Sequence, residues 1–315
     1  MNIISADISL IDGKRREAFL KLFENDPDLY QIAERLIDDL GYTFELGSLI
    51  KLREPFDKLF KVRKKKALEL RNYAQQLKLF KSEKIQLSLE DVKVSVPPEL
   101  TIKHIEKYLE LFEKQAFERH SIGDIIFSID AARSLGLLSL LMKKYDVVLM
   151  NPPYGDVTPK AKAYLKEHYP KTHNDVYSAF IEQAVDLTEE GGYIGMLTNL
   201  TFMYLSSHRW LRENLLKEKA PPKLILEFGL GILDGASVYT AGTILRKGER
   251  KPGEETLFLR LTEPSTEEKE KLFCEILSHI LKEKPHSELF KASLEDLAQV
   301  PGTVSHTHLT LPTKA

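Results

Sequence analysis

The spacing of apolar residues changes along the chain, and the changes separate groups of predicted elements. Residues 2–11, NIISADISLI, have the composition of a short strand, and YQIAERLIDDLGYTFELGSLIKL from residue 30 repeats apolar residues at helical spacing. Lysine- and leucine-rich helical patterns then fill residues 55–119, interrupted by the loop signal SVPPEL. We therefore predict an inserted helical hairpin or lobe over residues 55–120.

Continuous apolar runs of strand length are typical of the chain after residue 121. They are YDVVLM at 145–150, YIGMLTN at 193–199 and KLILEFG at 223–229. A run that is apolar at consecutive positions indicates a strand buried on both faces. Such strands occur mainly in parallel sheets that helices cover on both sides.

Helical patterns alternate with these runs. TPKAKAYLKEHY begins with Thr158 as N-cap and Pro159 at the first helical position. NDVYSAFIEQAVDLTEEGG is predicted to begin at an Asn174 cap and to end at Gly191 and Gly192. AARSLGLLSLLMK and SSHRWLRENLLKE are helical as well. The alternation predicts an α/β fold with a Rossmann-like, doubly wound sheet over residues 121–250.

The run YDVVLM ends abruptly in Asn151-Pro152-Pro153-Tyr154. Ligands of open α/β sheets bind just beyond the carboxyl ends of the strands, which is where these residues fall. The two prolines fix backbone angles and remove two amide donors. A stiff loop remains, with the Asn151 side-chain oxygen and the Pro152 carbonyl as acceptors and the ring of Tyr154 beside them.

Two fixed acceptors and an aromatic ring suit a planar heterocycle or amide that carries an NH2 group. The acceptors take both amino hydrogens and draw the nitrogen lone pair out of conjugation, while the ring stacks on the π face. A base within duplex DNA reaches such a loop only after it is flipped out of the helix. For a bare Pro-Pro turn, a purely structural role would be the better interpretation. The full tetrapeptide, directly after an apolar strand that begins with Asp146, favours binding.

Composition narrows the function less than this motif does. The chain has 315 residues, 43% hydrophobic and 29% charged, and a net charge of −2. That charge does not indicate a stand-alone nucleic-acid-binding module, although a local basic patch could still dock DNA. A single cysteine, Cys274, excludes an internal disulfide and suits a reducing cytoplasm. We expect a cytoplasmic protein with no membrane association and no metal site; His168 and His173 are expected in surface or capping roles.

YDVVLMNPPYGD resembles the motif of amino methyltransferases that use S-adenosylmethionine, above all the adenine-specific DNA methyltransferases. Residues 174–216 resemble the PglX methyltransferases of BREX phage-defence systems and their restriction-modification relatives, and so do ELGSLIKL at 45–52 and LEDLAQVPG at 294–302. The resemblance implies methyl transfer from S-adenosylmethionine to the exocyclic amine of a flipped adenine in double-stranded DNA. Other defence-system proteins are implied as partners.

The resemblance also assigns residues. Asn151 and the Pro152 carbonyl would bind the target amine, Pro153 would shape the loop, and Tyr154 would stack on the base. Asp175, Tyr177 and Phe180 fall in the segment that the family places beside the cofactor. Two other interpretations stay open for these three: a helix N-terminal charge for Asp175 and core packing for both rings.

The family's glycine-rich cofactor loop has no counterpart before Asn151, where glycines occur singly. FGLGILDG at 228–235 follows the motif and matches a later turn of the family. We expect the chain to start inside the methyltransferase core, so that its sheet is incomplete at the N-terminus. NIISADIS would then be a downstream strand with Asp7 at its end, either contacting the cofactor or serving as a cap.

Three interpretations of function follow. The first is a DNA adenine methyltransferase core, inactive as this chain alone. The second is an amino methyltransferase acting on RNA or on protein glutamine. The third is a non-catalytic fragment, or one half of a split methyltransferase that needs the missing part of the enzyme as its partner. The expected domains are 1–54 (N-terminal core), 55–120 (helical insertion), 121–260 (catalytic core), 261–302 (start of a C-terminal region) and 303–315 (a non-native or disordered tail).

Overall fold

The computed structural model describes residues 13–24, 27–40, 42, 46–51, 110, 114, 117–118, 129, 140–233, 238–249, 253–263 and 265–292. Four predictions lie outside these residues: the strand at 2–11 with Asp7, most of the helical lobe at 55–120, most of the helix at 131–143, and the C-terminal tail. The chain divides into two compact units, residues 1–143 and 144–315. No helix of the described part combines the length and the apolarity needed to span a membrane.

The described part of the first unit is helical. Helix α1 (Gly13–Leu20) runs into a 3-10 turn at Lys21–Phe23, and helix α2 (Pro27–Leu40) is followed by a 3-10 turn at Gly47–Leu49. Phe19 and Phe23 are buried and meet edge to face, with ring centroids 5.1 Å apart. Ile32 and Ile37 of α2 are buried as well. The helical periodicity predicted from residue 30 is confirmed up to Leu40.

The second unit is built around a six-stranded sheet. Its elements, in chain order, are β1 (Tyr145–Met150), α3 (Pro159–His168), α4 (Val176–Leu187), β2 (Thr188–Asn199), β3 (Pro222–Gly229), β4 (Thr240–Arg246), β5 (Thr256–Arg260), α5 (Thr266–Leu281) and β6 (Leu289–Ala292). Short 3-10 helices at Leu200–Met203 and Ser206–His208 and a π-helix at Leu211–Leu216 lie between β2 and β3. All three strands predicted after residue 121 are confirmed.

The sheet is mixed, in the order β1-β2-β4-β3-β5-β6. β1 and β2 are parallel, and so are β3 and β5, whereas β4 is antiparallel to both β2 and β3. The expectation of a sheet made only of parallel strands is therefore wrong, since β4 and β6 both pair antiparallel with their neighbours. The connection from β3 to β4 spans residues 230–239 and contains no helix in its described part, so the chain returns beside β3 in the opposite direction.

Helices cover opposite faces of this sheet. α4 packs on the face that contains Ile194, Met196 and Leu245. α5 packs through Ile276 against the other face, near Leu224, which pairs with Ile244 of β4. Successive residues of a strand point to opposite faces, so Ile244 and Leu245 identify the two sides. The α/β fold class is confirmed.

The ends of α3 and α4 show what local sequence does and does not determine. Thr158 caps α3 as predicted, since its Oγ1 accepts a hydrogen bond from the Ala161 amide at 3.3 Å. The predicted Asn174 cap of α4 is wrong, because Asp175 holds the N-cap position. The Asn174 side chain instead donates to the Ser207 carbonyl at 3.2 Å.

The predicted end of α4 at Gly191 and Gly192 is also wrong, because the helix ends at Leu187 and both glycines lie in β2. Two lysines replace a glycine cap. Lys247 donates to the Val185 carbonyl at 2.9 Å, and Lys144 donates to the Asp186 carbonyl. The carbonyls at the end of the helix are therefore satisfied partly by side chains from distant parts of the sequence and partly by Thr188, whose hydroxyl donates to the Ala184 carbonyl.

Candidate active site

The Asn-Pro-Pro-Tyr segment follows β1 without an intervening turn of helix. β1, β2 and β3 run in the same direction. Their last residues, Met150, Asn199 and Gly229, therefore lie at the same edge of the sheet. We call this edge the carboxyl end of the sheet. The β4 residue Thr240 pairs with both Asn199 and Gly229 there. This is the position at which α/β sheets bind ligands.

The segment presents some side chains to solvent and buries others. Asn151 and Pro153 are exposed, Pro152 is buried, and Tyr154 is half-buried. At Gly155 the backbone φ is +110°, a value that favours glycine, and the chain turns toward α3. The amide of Asn151 is therefore accessible from solvent, while a buried proline beside it fixes the loop.

Tyr154 is tied to the neighbouring strand. Its hydroxyl donates a hydrogen bond to the Leu197 carbonyl oxygen of β2 at 3.1 Å. Burial raises the pKa of this hydroxyl, so it stays protonated and remains a donor at neutral pH. The bond restrains the side chain, which stays half-buried.

Two of the three residues predicted beside the cofactor come together at the start of α4. The side chain of Asp175 is 46% exposed, whereas Tyr177 is buried and its hydroxyl lies 3.0 Å from Thr201 Oγ1. Burial, reinforced by the Asp175 charge, raises the pKa of Tyr177 well above its ordinary value. Phe180, half-buried, follows one turn later on the same helix. Both Asp175 and Tyr177 contact a residue that the sequence did not single out, His208.

Comparison with known proteins decides the family. Residues 9–230, which are more than half of the chain, match the sequence family described as the Eco57I restriction-modification methylase. The chain belongs to the Eco57I restriction-modification methylase family.

Individual relatives agree with this assignment. The Eco57I-family chain is 27% identical over 179 residues to the adenine-specific methyltransferase BrxX of Escherichia coli O9:H4 (strain HS), covering 52% of the chain and 14% of the relative. It is 32% identical over 78 residues to the adenine-specific methyltransferase PglX of Lacticaseibacillus casei (strain Zhang), covering 24% of the chain and 6% of the relative. It is 28% identical over 122 residues to the type II restriction enzyme and methyltransferase RM.Eco57I of Escherichia coli, covering 36% of the chain and 12% of the relative.

The chain thus spans 14% or less of the length of these relatives. The resemblance to adenine-specific methyltransferases of the PglX group, predicted from the sequence, is confirmed by these matches.

Asp175 and Phe180 are the residues of the segment predicted beside the cofactor that solvent reaches, whereas Tyr177 is buried. Asp175 offers a partly exposed carboxylate, an acceptor for hydroxyl or ammonium donors, and Phe180 offers a partly exposed flat ring. Within the described residues, no group of three or more His, Cys, Asp or Glu is arranged to hold a metal ion.

His208 was missed because burial cannot be read from one residue. The signal available was its spacing: His208, Leu211 and Leu215 recur at helical intervals, and all three are buried. A polar residue at an apolar position of such a pattern is a candidate for a buried network. The expectation of a surface position for His168 is wrong, since its side chain is 6% exposed and its ring centroid lies 4.2 Å from that of Tyr164; a capping role at the end of α3 stays a prediction.

Proposed function

We propose that the protein is an S-adenosylmethionine-dependent methyltransferase that modifies the exocyclic amine of adenine in double-stranded DNA, in restriction-modification or phage defence. The observation that carries the proposal is the exposed Asn151 amide beside the fixed ring of Tyr154 at the carboxyl end of the sheet. Membership of the Eco57I family and the adenine-specific relatives support the choice of substrate. The same proposal places the protein in the cytoplasm, where it has access to DNA.

The acceptors of the segment hold and activate the amine. The Asn151 Oδ1 and the Pro152 carbonyl accept its two hydrogens, which turns the nitrogen lone pair away from the ring of the base. No strong base is needed for this activation, and the described segment provides none. Bound S-adenosylmethionine supplies an electrophilic methyl group on a sulfonium. As the new N–C bond forms, the methyl–sulfur bond breaks and leaves a neutral thioether, and the surplus proton on the nitrogen passes to solvent water, which reaches the exposed Asn151.

Tyr154 holds the base in place while this happens. A flipped base has lost its stacking partners, and a tyrosine face recovers part of that energy, about 1–3 kcal/mol per base. The hydroxyl bond to Leu197 fixes the ring before the base arrives, so less conformational entropy is lost on binding.

Methyl transfer by the full-length protein tests the proposal, because no counterpart of the family's glycine-rich cofactor loop precedes Asn151 in this chain. Duplex oligonucleotides, single-stranded RNA and a glutamine peptide are incubated with S-adenosylmethionine carrying a tritiated methyl group, and modified adenine is identified after digestion. Duplex DNA should be labelled on adenine, and Asn151→Ala should lower the rate at least about a hundredfold because the amine loses an oriented acceptor. The matched control is Asn214→Ala, an exposed amide on the π-helix that bonds only the Trp210 carbonyl within the described residues.

Labelling of RNA or peptide instead of DNA would contradict the choice of substrate. Equal activity of the Asn151→Ala and Asn214→Ala variants would contradict the role of the segment.

A further inference from the structure

His208 joins two pieces of backbone that are far apart in the sequence. It is 2% exposed and lies in the 3-10 turn Ser206–His208 that follows β2. Its Nε2 lies 2.9 Å from Asp175 Oδ2 and 2.9 Å from the Tyr177 hydroxyl, and its Nδ1 lies 3.0 Å from Ser178 Oγ. One imidazole therefore contacts three residues at the start of α4.

A neutral imidazole satisfies these contacts in one arrangement of protons. An ionised carboxylate can only accept, so the Nε2 that faces Asp175 must carry a hydrogen. The Nδ1 then accepts from the Ser178 hydroxyl, and Tyr177, whose pKa is raised by burial, donates to Thr201 Oγ1. Both ring nitrogens are then paired, which favours one orientation of the imidazole.

The Asp175 carboxylate is directed by this histidine and not by its own helix. Asp175 holds the N-cap position of α4, yet its side chain makes no capping hydrogen bond to the helix amides. An aspartate at an N-cap ordinarily accepts from those amides. Here one carboxylate oxygen lies against the buried histidine instead, while the side chain stays 46% exposed.

Ser178, His208 and Asp175 have the composition of a nucleophilic triad, but the geometry excludes that use. Ser178 is 0% exposed, so its hydroxyl cannot reach a substrate. The serine contacts Nδ1 and the aspartate contacts Nε2. Of these three residues, Asp175 alone has a side chain that solvent reaches. The network orients a carboxylate; it does not activate a serine.

We propose that His208 is a positioning residue that holds the Asp175 carboxylate in the orientation in which it binds the hydroxyl or ammonium groups of the methyl donor. This rests on the proposed function, because it takes the donor to be S-adenosylmethionine. An oriented acceptor binds more tightly than a mobile one, since its rotamer is already fixed. His208 itself stays behind the carboxylate and out of reach of the ligand.

A double-mutant cycle separates positioning from general structural support. Affinity for S-adenosylmethionine is measured by calorimetry on the full-length protein for the wild type, His208→Phe, Asp175→Ala and the double variant. His208→Phe should weaken binding about tenfold in the wild-type background, the size expected for a hydrogen bond to a charged group. In the Asp175→Ala background, where no acceptor is left for His208 to orient, the same change should weaken binding by less than about twofold.

His208→Gln keeps an NH2 donor and should recover most of the affinity if Phe proves too disruptive to fold. The matched control is His168→Phe, also a buried imidazole, which should leave affinity unchanged. Selective ¹⁵N labelling of histidine in the 315-residue chain adds a test without ligand: His208 should have a protonated Nε2 and an unprotonated Nδ1.

Equal losses in the two backgrounds, or the opposite tautomer, would overturn the positioning role. If the wild type methylates duplex DNA but shows no coupling between His208 and Asp175, only this inference fails. If the wild type neither binds S-adenosylmethionine nor transfers methyl groups, the proposed function fails with it.

Discussion

The hydroxyl of Tyr154 lies 3.1 Å from the carbonyl oxygen of Leu197, so the aromatic residue of the loop after β1 is bonded to β2. This bond fixes the distance between two neighbouring strand ends at the carboxyl end of the sheet. It also separates two contributions of the same side chain, a ring for stacking and a hydroxyl for anchoring. Substitutions can remove them one at a time.

Tyr154→Ala should reduce methylation more than Tyr154→Phe. Alanine removes the π face, which contributes about 1–3 kcal/mol per stacked base and therefore a factor of roughly 5 to 150 in kcat/KM. Phenylalanine keeps the face and loses one neutral hydrogen bond, worth about 0.5–1.5 kcal/mol, so its loss should be at most about tenfold. Steady-state kinetics on a duplex oligonucleotide measure both. Equal losses would assign the function to the hydroxyl instead.

Tyr177 should make the stability of the protein depend on alkaline pH. Burial raises its pKa in the folded state, while the unfolded value stays near about 10. Its contribution to stability is therefore fully present below about pH 10 and is lost as pH rises toward the folded pKa, with a slope of about 1.4 kcal/mol per pH unit. The free energy of unfolding of wild type minus that of Tyr177→Phe should shrink between pH 9 and pH 11.5.

Urea unfolding at both pH values checks this, and the other tyrosines cancel because both proteins contain them. A difference that stays constant or grows with pH would show that Tyr177 does not titrate in the unfolded state below its folded pKa.

Local chemistry explains which parts of the fold could be predicted. Thr158 and Pro159 act within one turn of their own helix, so the start of α3 could be read from neighbouring residues. The end of α4 depends on Lys144 and Lys247, which come from outside the helix, and no local pattern reveals them. For the same reason glycine looked like the natural end of that helix.

The candidate site divides in the same way. The position of Asn151 followed from a strand and two prolines, all within ten residues. The contact of His208 with Asp175 joins residues 33 positions apart along the sequence through tertiary packing. Sequence periodicity placed the helix that follows Asp175 and the segment that contains His208 in the α/β unit. It could not show that the His208 imidazole contacts Asp175.

Thr158→Ala should destabilise the second unit by about 1 kcal/mol, because the Ala161 amide loses its capping acceptor. Thr158→Ser keeps the hydroxyl and should be nearly neutral. Denaturant unfolding with unchanged slope measures the difference in the free energy of unfolding. The same loss for both variants would mean that the methyl group of Thr158, and not its hydroxyl, is what stabilises the start of α3.

Gly192→Ala should cost far more stability than Gly195→Ala, although an added Cβ would meet a neighbouring atom at 2.7 Å in both cases. At Gly192 the neighbours are the backbone oxygen of Asp146 in β1 and, within β2, the Thr188 Cγ2 and the Glu189 backbone oxygen, so relief requires the backbone to move. At Gly195 it is Leu149 Cδ2, the end of a side chain that is 79% exposed and can rotate. We expect a loss of about 3 kcal/mol or more for the first and less than about 1 kcal/mol for the second.

Because β1 carries Asn151, the Gly192 variant should also lose methylation at temperatures where it is still folded. Thermal unfolding and activity measured on the same samples test both effects. Comparable stability of the two variants would show that β1 and β2 can separate without cost. In that case the spacing between β1 and β2 would not be what sets the position of Asn151.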